Sequence, residues 1–248
     1  MKTRIIPLTA LLLSLSWGAA MAAAPQTAGE TGICDVAADY ALGVEDYPAA
    51  IRLHLAVLSR DPNNALAHYH LGFAYGMSGR HSAEIREYQR AAALGLRAFD
   101  LYLNLGMAEF ERGDLPSALA ALTTSARLSD AAEPHFELAL VYERQGYLKQ
   151  ADAQIHAALA KAPTEPDYLN TLAVLSAEQG DLSAARRIWT AILRREPQYH
   201  PAAVNLDLLA HEAIRTATSL PAPAAPILPG EAKGAAKGGA LTVTDSTL

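Results

Sequence analysis

The segment LGMAEFERGDLPSALAALTTSA, residues 105–126, holds a small residue directly after a leading leucine, a glycine at Gly113 and an alanine at Ala118. The phrase recurs as LGFAYGMSGRHSAEIREYQRAA from Leu71, LALVYERQGYLKQADAQIHAAL from Leu138 and LAVLSAEQGDLSAARRIWTAIL from Leu172. The leading leucines step by 34, 33 and 34 residues. A fixed period in this range is the mark of a stacked solenoid, in which each supersecondary unit completes its core on its neighbours.

The repeated residues have separate physical duties. Gly72, Gly106, Ala139 and Ala173 after the leucine allow two antiparallel helices to approach closely, where a long side chain would force them apart. Gly79, Gly113, Gly146 and Gly180 supply the left-handed turn that ends one helix and starts the next. Ala118, Ala151 and Ala185 mark the second helix, and Pro62, Pro163 and Pro197 stop it. A weaker copy, EDYPAAIRLHLAVLSRDPNN, precedes them with Tyr47, Ala50 and Pro62 in register. The pattern resembles the tetratricopeptide repeat, from about residue 31 to residue 199. It departs from that repeat at Glu84, where alanine is expected, at Leu96 and Asp130, where proline is expected, and in carrying Trp189 on a second helix.

The resemblance implies an all-α, right-handed superhelical solenoid of about five helix-turn-helix repeats, at 31–64, 65–98, 99–131, 132–165 and 166–199. The amphipathic stretch 200–216, with Val204, Leu206, Leu208 and Leu209, is expected to cap the open end. The folded unit is therefore placed at 31–216.

At the amino end, Lys2 and Arg4 precede an apolar run to about Trp17, followed by small residues and Ala20-Met21-Ala22. This is the anatomy of a cleavable signal peptide over 1–22, with a short linker at 23–30, and it predicts a periplasmic or secreted protein. The run is too short to cross a bilayer comfortably, so no permanent membrane span is expected after cleavage. Loss of Lys2 and Arg4 takes the formal charge from -6 to -8, which disfavours a nucleic-acid partner. The single cysteine, Cys34, has no internal partner for a disulfide and falls at a packing position, where a buried, inert thiol is expected. The Pro/Ala/Gly-rich stretch 217–248 reads as a disordered tail whose APILP segment has the composition to fold back on the repeats.

Tyr69, Phe73 and Met77 form a second apolar stripe on a helix whose Leu71, Gly72 and Tyr75 already provide a docking face. By the resemblance, positions 2, 5, 9, 12 and 13 of each repeat look into a concave groove lined by first helices. The third repeat then contributes Leu103, Met107 and Phe110, the fourth Phe136 and Leu140, and the fifth Asn170 and Val174. Asp35, Asp39, Asp100, Glu133, Glu137 and Glu143 are expected to form an acidic rim. A contiguous apolar patch of this kind marks an interaction site. The expectation is a non-enzymatic scaffold of the cell envelope that captures an apolar-centred protein or peptide segment with basic flanks, self-association remaining open. The alternative is an accessory subunit that recruits an enzyme or serves an assembly machine for pili, secretion, cytochrome maturation or polysaccharide export.

No catalytic constellation, cofactor motif or metal motif stands out in the sequence. His68 and His70 project about 200° apart on a helix and cannot share an ion from one face. His211-Glu212 lacks the second histidine of a zinc-protease helix.

Overall fold

The computed structural model describes residues 34–219. The signal peptide, the linker and nearly all of the tail expected from sequence lie outside the described residues. The expected all-α architecture holds, with eleven helices among the described residues: α1 (Val36–Gly43), α2 (Tyr47–Arg60), α3 (Ala65–Met77), α4 (His81–Ala93), α5 (Phe99–Arg112), α6 (Leu115–Leu128), α7 (Glu133–Arg144), α8 (Leu148–Lys161), α9 (Pro166–Glu178), α10 (Leu182–Arg195) and α11 (His200–Ser219). None of them is long and apolar enough to cross a membrane.

Local chemistry sets where the helices begin and end. Asp35, Asp46, Asn64, Asp114 and Asp181 each accept a hydrogen bond from a backbone N–H in the first turn of the helix that follows. Those donors have no partner within the helix, so each cap is worth about 1 kcal/mol. At the other end Gly113 adopts φ 85°, which lets its N–H reach the Phe110 carbonyl and the Asp114 N–H reach the Glu109 carbonyl. The second repeat closes the same way at Gly95, φ 94°, although Leu96 replaces the expected proline. The end of the third repeat is tied instead by an ion pair between Lys161 and Asp130.

The helices pair as α1/α2, α3/α4, α5/α6, α7/α8 and α9/α10, and each second helix packs on the first helix of the next pair. First helices of neighbouring pairs also touch, α1 with α3, α3 with α5 and α5 with α7. Within each pair a large side chain on the second helix fills the space opposite a small one on the first. A Cβ added to Gly106 would lie 2.5 Å from Leu122 Cγ, and one added to Gly72 2.6 Å from Tyr88 Cδ1. The full set of large partners, His54, Tyr88, Leu122, Ile155 and Trp189, is buried. Glu84, the departure from alanine in the second repeat, is accommodated by Gly76, where any Cβ would strike its carboxylate at 2.5 Å.

The first part of α11 packs on the last pair. Ala202, Tyr199, Leu206 and Leu209 join the cluster around Trp189, and Tyr199 Oη donates to Asp167 Oδ1 at 2.6 Å. The compact unit runs to Ala210, and from His211 the described residues only continue the helix.

Candidate functional site

The first helices α3, α5, α7 and α9 carry the nine apolar candidates, and the structure divides them. Tyr69, Phe110 and Val174 are sealed. Tyr69 packs with Tyr88, Leu101 and Leu105, its ring 5.8 Å from that of Tyr88, and its hydroxyl accepts from Asn104 Nδ2 at 3.3 Å. Phe110 lies among Leu122, Leu138 and Val141 under the Arg144 guanidinium, and Val174 lies against Trp189 and Ala202. The cause is the same each time: the next first helix, or the cap, covers the side chain. Asn170 is buried likewise and accepts from Trp189 Nε1 and Asn205 Nδ2, both at 2.9 Å.

Phe73, Met77, Leu103, Met107, Phe136 and Leu140 keep part of their surface exposed. Phe73 leans on the Tyr69 cluster, Leu103 and Leu140 on the Phe110 cluster, and the Phe136 ring sits 4.7 Å from that of Tyr168. One side of these four is therefore committed to the stack, while part of the surface of all six stays open.

The acids divide as well. Asp35 caps α1, and Asp39 accepts from the Cys34 N–H and lies 2.8 Å from His70 Nδ1. The other four belong to the first-helix face. Glu133 is exposed, and Asp100 is pushed up by burial and by the charge of Glu133. Burial pushes Glu137 up to about 7, with repulsion from Glu111 adding to it. Burial also pushes Glu143 up to about 7, with Glu178 adding and Arg144 opposing. Glu111 and Glu178, absent from the sequence reading, thus stand close enough to Glu137 and Glu143 to repel them. Both occupy position 13 of their repeats, a place the period already assigned to the groove.

A second constellation lies at the amino end, where Cys34, Asp39, His54 and His70 converge. Burial, aided by the nearby Asp39 and Asp35 charges, pushes the Cys34 thiol up to about 11. Burial and the neighbouring His70 hold His54 down to about 4, against a smaller pull from Asp39, so its ring is neutral. His68 turns away to Glu87, 2.6 Å from its Nδ1.

These features define a stack of helical hairpins whose first helices carry half-open apolar side chains and acids. Three segments, residues 36–100, 85–133 and 136–201, match the family model described as "Tetratricopeptide repeat". The chain belongs to the tetratricopeptide repeat family. A curated relative, "Tetratricopeptide repeat protein 8" of Caenorhabditis elegans, is 24% identical over 149 residues, 59% of this chain and 29% of its own length. The chain thus spans under a third of that relative. Among solved structures, YrrB, titled a TPR protein with an unusual peptide-binding site, shares 20% identity at a TM-score of 0.63, covering 68% of this chain and 88% of its own. PilW, titled a widely conserved type IV pilus biogenesis factor, shares 20% identity at 0.61, covering 69% and 80%. MamA shares 23% at 0.60, covering 66% and 90%. These likenesses show the fold.

Proposed function

We propose that the first-helix face binds a polypeptide segment that is apolar in the middle and carries lysine or arginine at its flanks. What supports this reading is that six apolar side chains on successive first helices keep part of their surface exposed, and that α5 and α7 also carry carboxylates that burial keeps from full ionisation. Such carboxylates gain most from an approaching cation, because pairing relieves the cost of a charge held away from water. The apolar side chains each add about 1.5–3 kcal/mol when fully covered, before ordering costs. Three or four suffice for micromolar binding. The family's repeats serve as protein-interaction scaffolds, which agrees with the lack of a catalytic motif in the sequence.

The amino-terminal Lys2, Arg4 and apolar run favour export, and with it a scaffolding role in the cell envelope. The fold shared with a pilus biogenesis factor is compatible with that setting. The test uses fluorescent peptides of one apolar core, flanked either by lysine and arginine or by aspartate and glutamate. The basic peptide should bind in the micromolar range, weaken with salt, and lose about tenfold or more in Met107→Asp and in the pair Glu137→Gln with Glu143→Gln. Equal binding of both peptides, or no change in these variants, refutes the site.

A further inference from the structure

Four segments of the first two repeats deliver one donor each to a single point. Cys34 precedes α1, Asp39 lies on α1, His54 on α2 and His70 on α3, and one ligand-capable atom of each lies within 4.8 Å of all the others. Cys34 Sγ is 3.8 Å from His54 Nδ1, His54 Nε2 is 3.8 Å from Asp39 Oδ1, and His70 Nδ1 is 2.8 Å from that same oxygen. Asp39 also accepts from the Cys34 backbone N–H at 2.9 Å, which holds the cysteine over the cluster.

His54 is the informative residue. It is 0% exposed, and its Nε2 has no hydrogen-bond partner. In the four later repeats the same slot holds Tyr88, Leu122, Ile155 and Trp189, all buried, so packing alone asks for bulk and not for an imidazole. A buried ring nitrogen left idle costs free energy unless something uses it.

We propose that Cys34, Asp39, His54 and His70 bind a zinc-class divalent ion. One thiolate, two imidazoles and one carboxylate form a borderline-soft set that suits zinc and does not suit calcium or magnesium, which take oxygen ligands. A tetrahedral zinc with bonds of roughly 2.0–2.3 Å sets its ligand atoms about 3.3–3.8 Å apart. With Nε2 as the His54 ligand, its 3.8 Å spacing to Asp39 Oδ1 already has that value. The Asp39–His70 contact opens by roughly half an ångström to admit the ion. Four protein ligands close the shell, which is the arrangement of a structural site. The ion ties α1, a helix of eight residues with Val36 and Tyr40 exposed, to α2 and α3 and so fixes the amino-terminal end of the stack.

The test uses the full-length chain without a histidine tag, stripped by chelator, kept reduced with a phosphine, and titrated with zinc(II) and with cobalt(II). One equivalent of zinc should bind and raise the melting temperature, and cobalt should give a thiolate charge-transfer band. Cys34 is the sole cysteine, so that band reports this site and vanishes in Cys34→Ser. His70→Ala should weaken zinc by about 100-fold or more. His54→Leu fills the slot as Leu122 does, so it should keep the helical signal of the metal-free protein and abolish stoichiometric binding. Absence of stoichiometric zinc and cobalt binding, binding that survives in His54→Leu and His70→Ala, or uptake of copper alone would each overturn the assignment.

Discussion

Glu45 holds φ 60° in the turn between α1 and α2, where the four later pairs place glycine. A side chain there costs roughly 1–2 kcal/mol, because Cβ crowds the following carbonyl in the left-handed region. Glycine removes the crowding but loses more entropy on folding, so Glu45→Gly should stabilise the protein by about 0.5–1 kcal/mol. In a chain of this size that is a rise of roughly 1–4 °C in a thermal melt. The opposite change belongs at Gly106, where a Cβ has no room beside Leu122. Gly106→Ala should cost about 1–3 kcal/mol, read by denaturant midpoint, with the paired variant Gly106→Ala, Leu122→Ala recovering the clash term while losing burial. Gly106 was visible as a match to the period. Glu84 was visible as a departure too, but the compensating Gly76 was not, since nothing in the spacing says that this glycine exists to make room for a carboxylate.

At the scale of the helix, the last pair depends on one buried amide. Asn170 on α9 receives Trp189 Nε1 from α10 and Asn205 Nδ2 from α11, so a single oxygen joins three helices. Asn170→Leu leaves two buried donors without an acceptor, at roughly 1–3 kcal/mol each. The expected outcome is a loss larger than any surface substitution gives, with hydrogen exchange accelerated first in α10 and α11, since stability in a repeat stack is local to neighbouring units. The helices themselves were legible because their apolar period, turn glycines and capping residues are local properties of the chain. Coverage was not. Whether Tyr69, Phe110 or Val174 faces a groove depends on how far the next helix slides over it, and the period fixes a direction but not that distance. The Cys34, Asp39, His54 and His70 cluster escaped for a related reason: its members stand on four segments with unrelated spacing, and only the pairing of α1, α2 and α3 unites them.

For the whole molecule, the raised carboxylates make both stability and binding depend on pH. Glu84, Glu137 and Glu143 are each pushed up to about 7, by burial above all. Their unfolded values are near 4.3. The folded state therefore holds more protons between about pH 4.3 and 7, and stability falls as pH rises across that window. The contribution is fully present below the unfolded value and is lost as pH passes the folded one. Asp39 runs the other way, since its contacts with His70 and the backbone outweigh burial and hold it below its usual value, but its effect is confined to more acidic solution. Between pH 6 and 8 the metal-free protein should thus melt at progressively lower temperature. Glu137→Gln should flatten that slope and melt higher than the wild type at pH 8, while the two converge near pH 4. A cationic segment favours the ionised form, so its binding should have the opposite slope, tightening by up to about tenfold per carboxylate from pH 6 to 8. Opposed slopes in melting and in affinity, the second lost and the first reduced to the Glu84 share in the pair Glu137→Gln with Glu143→Gln, would tie the two effects to the same carboxylates. Slopes that run in parallel, or an affinity slope that persists in the pair, would separate the acidic face from the binding of basic partners.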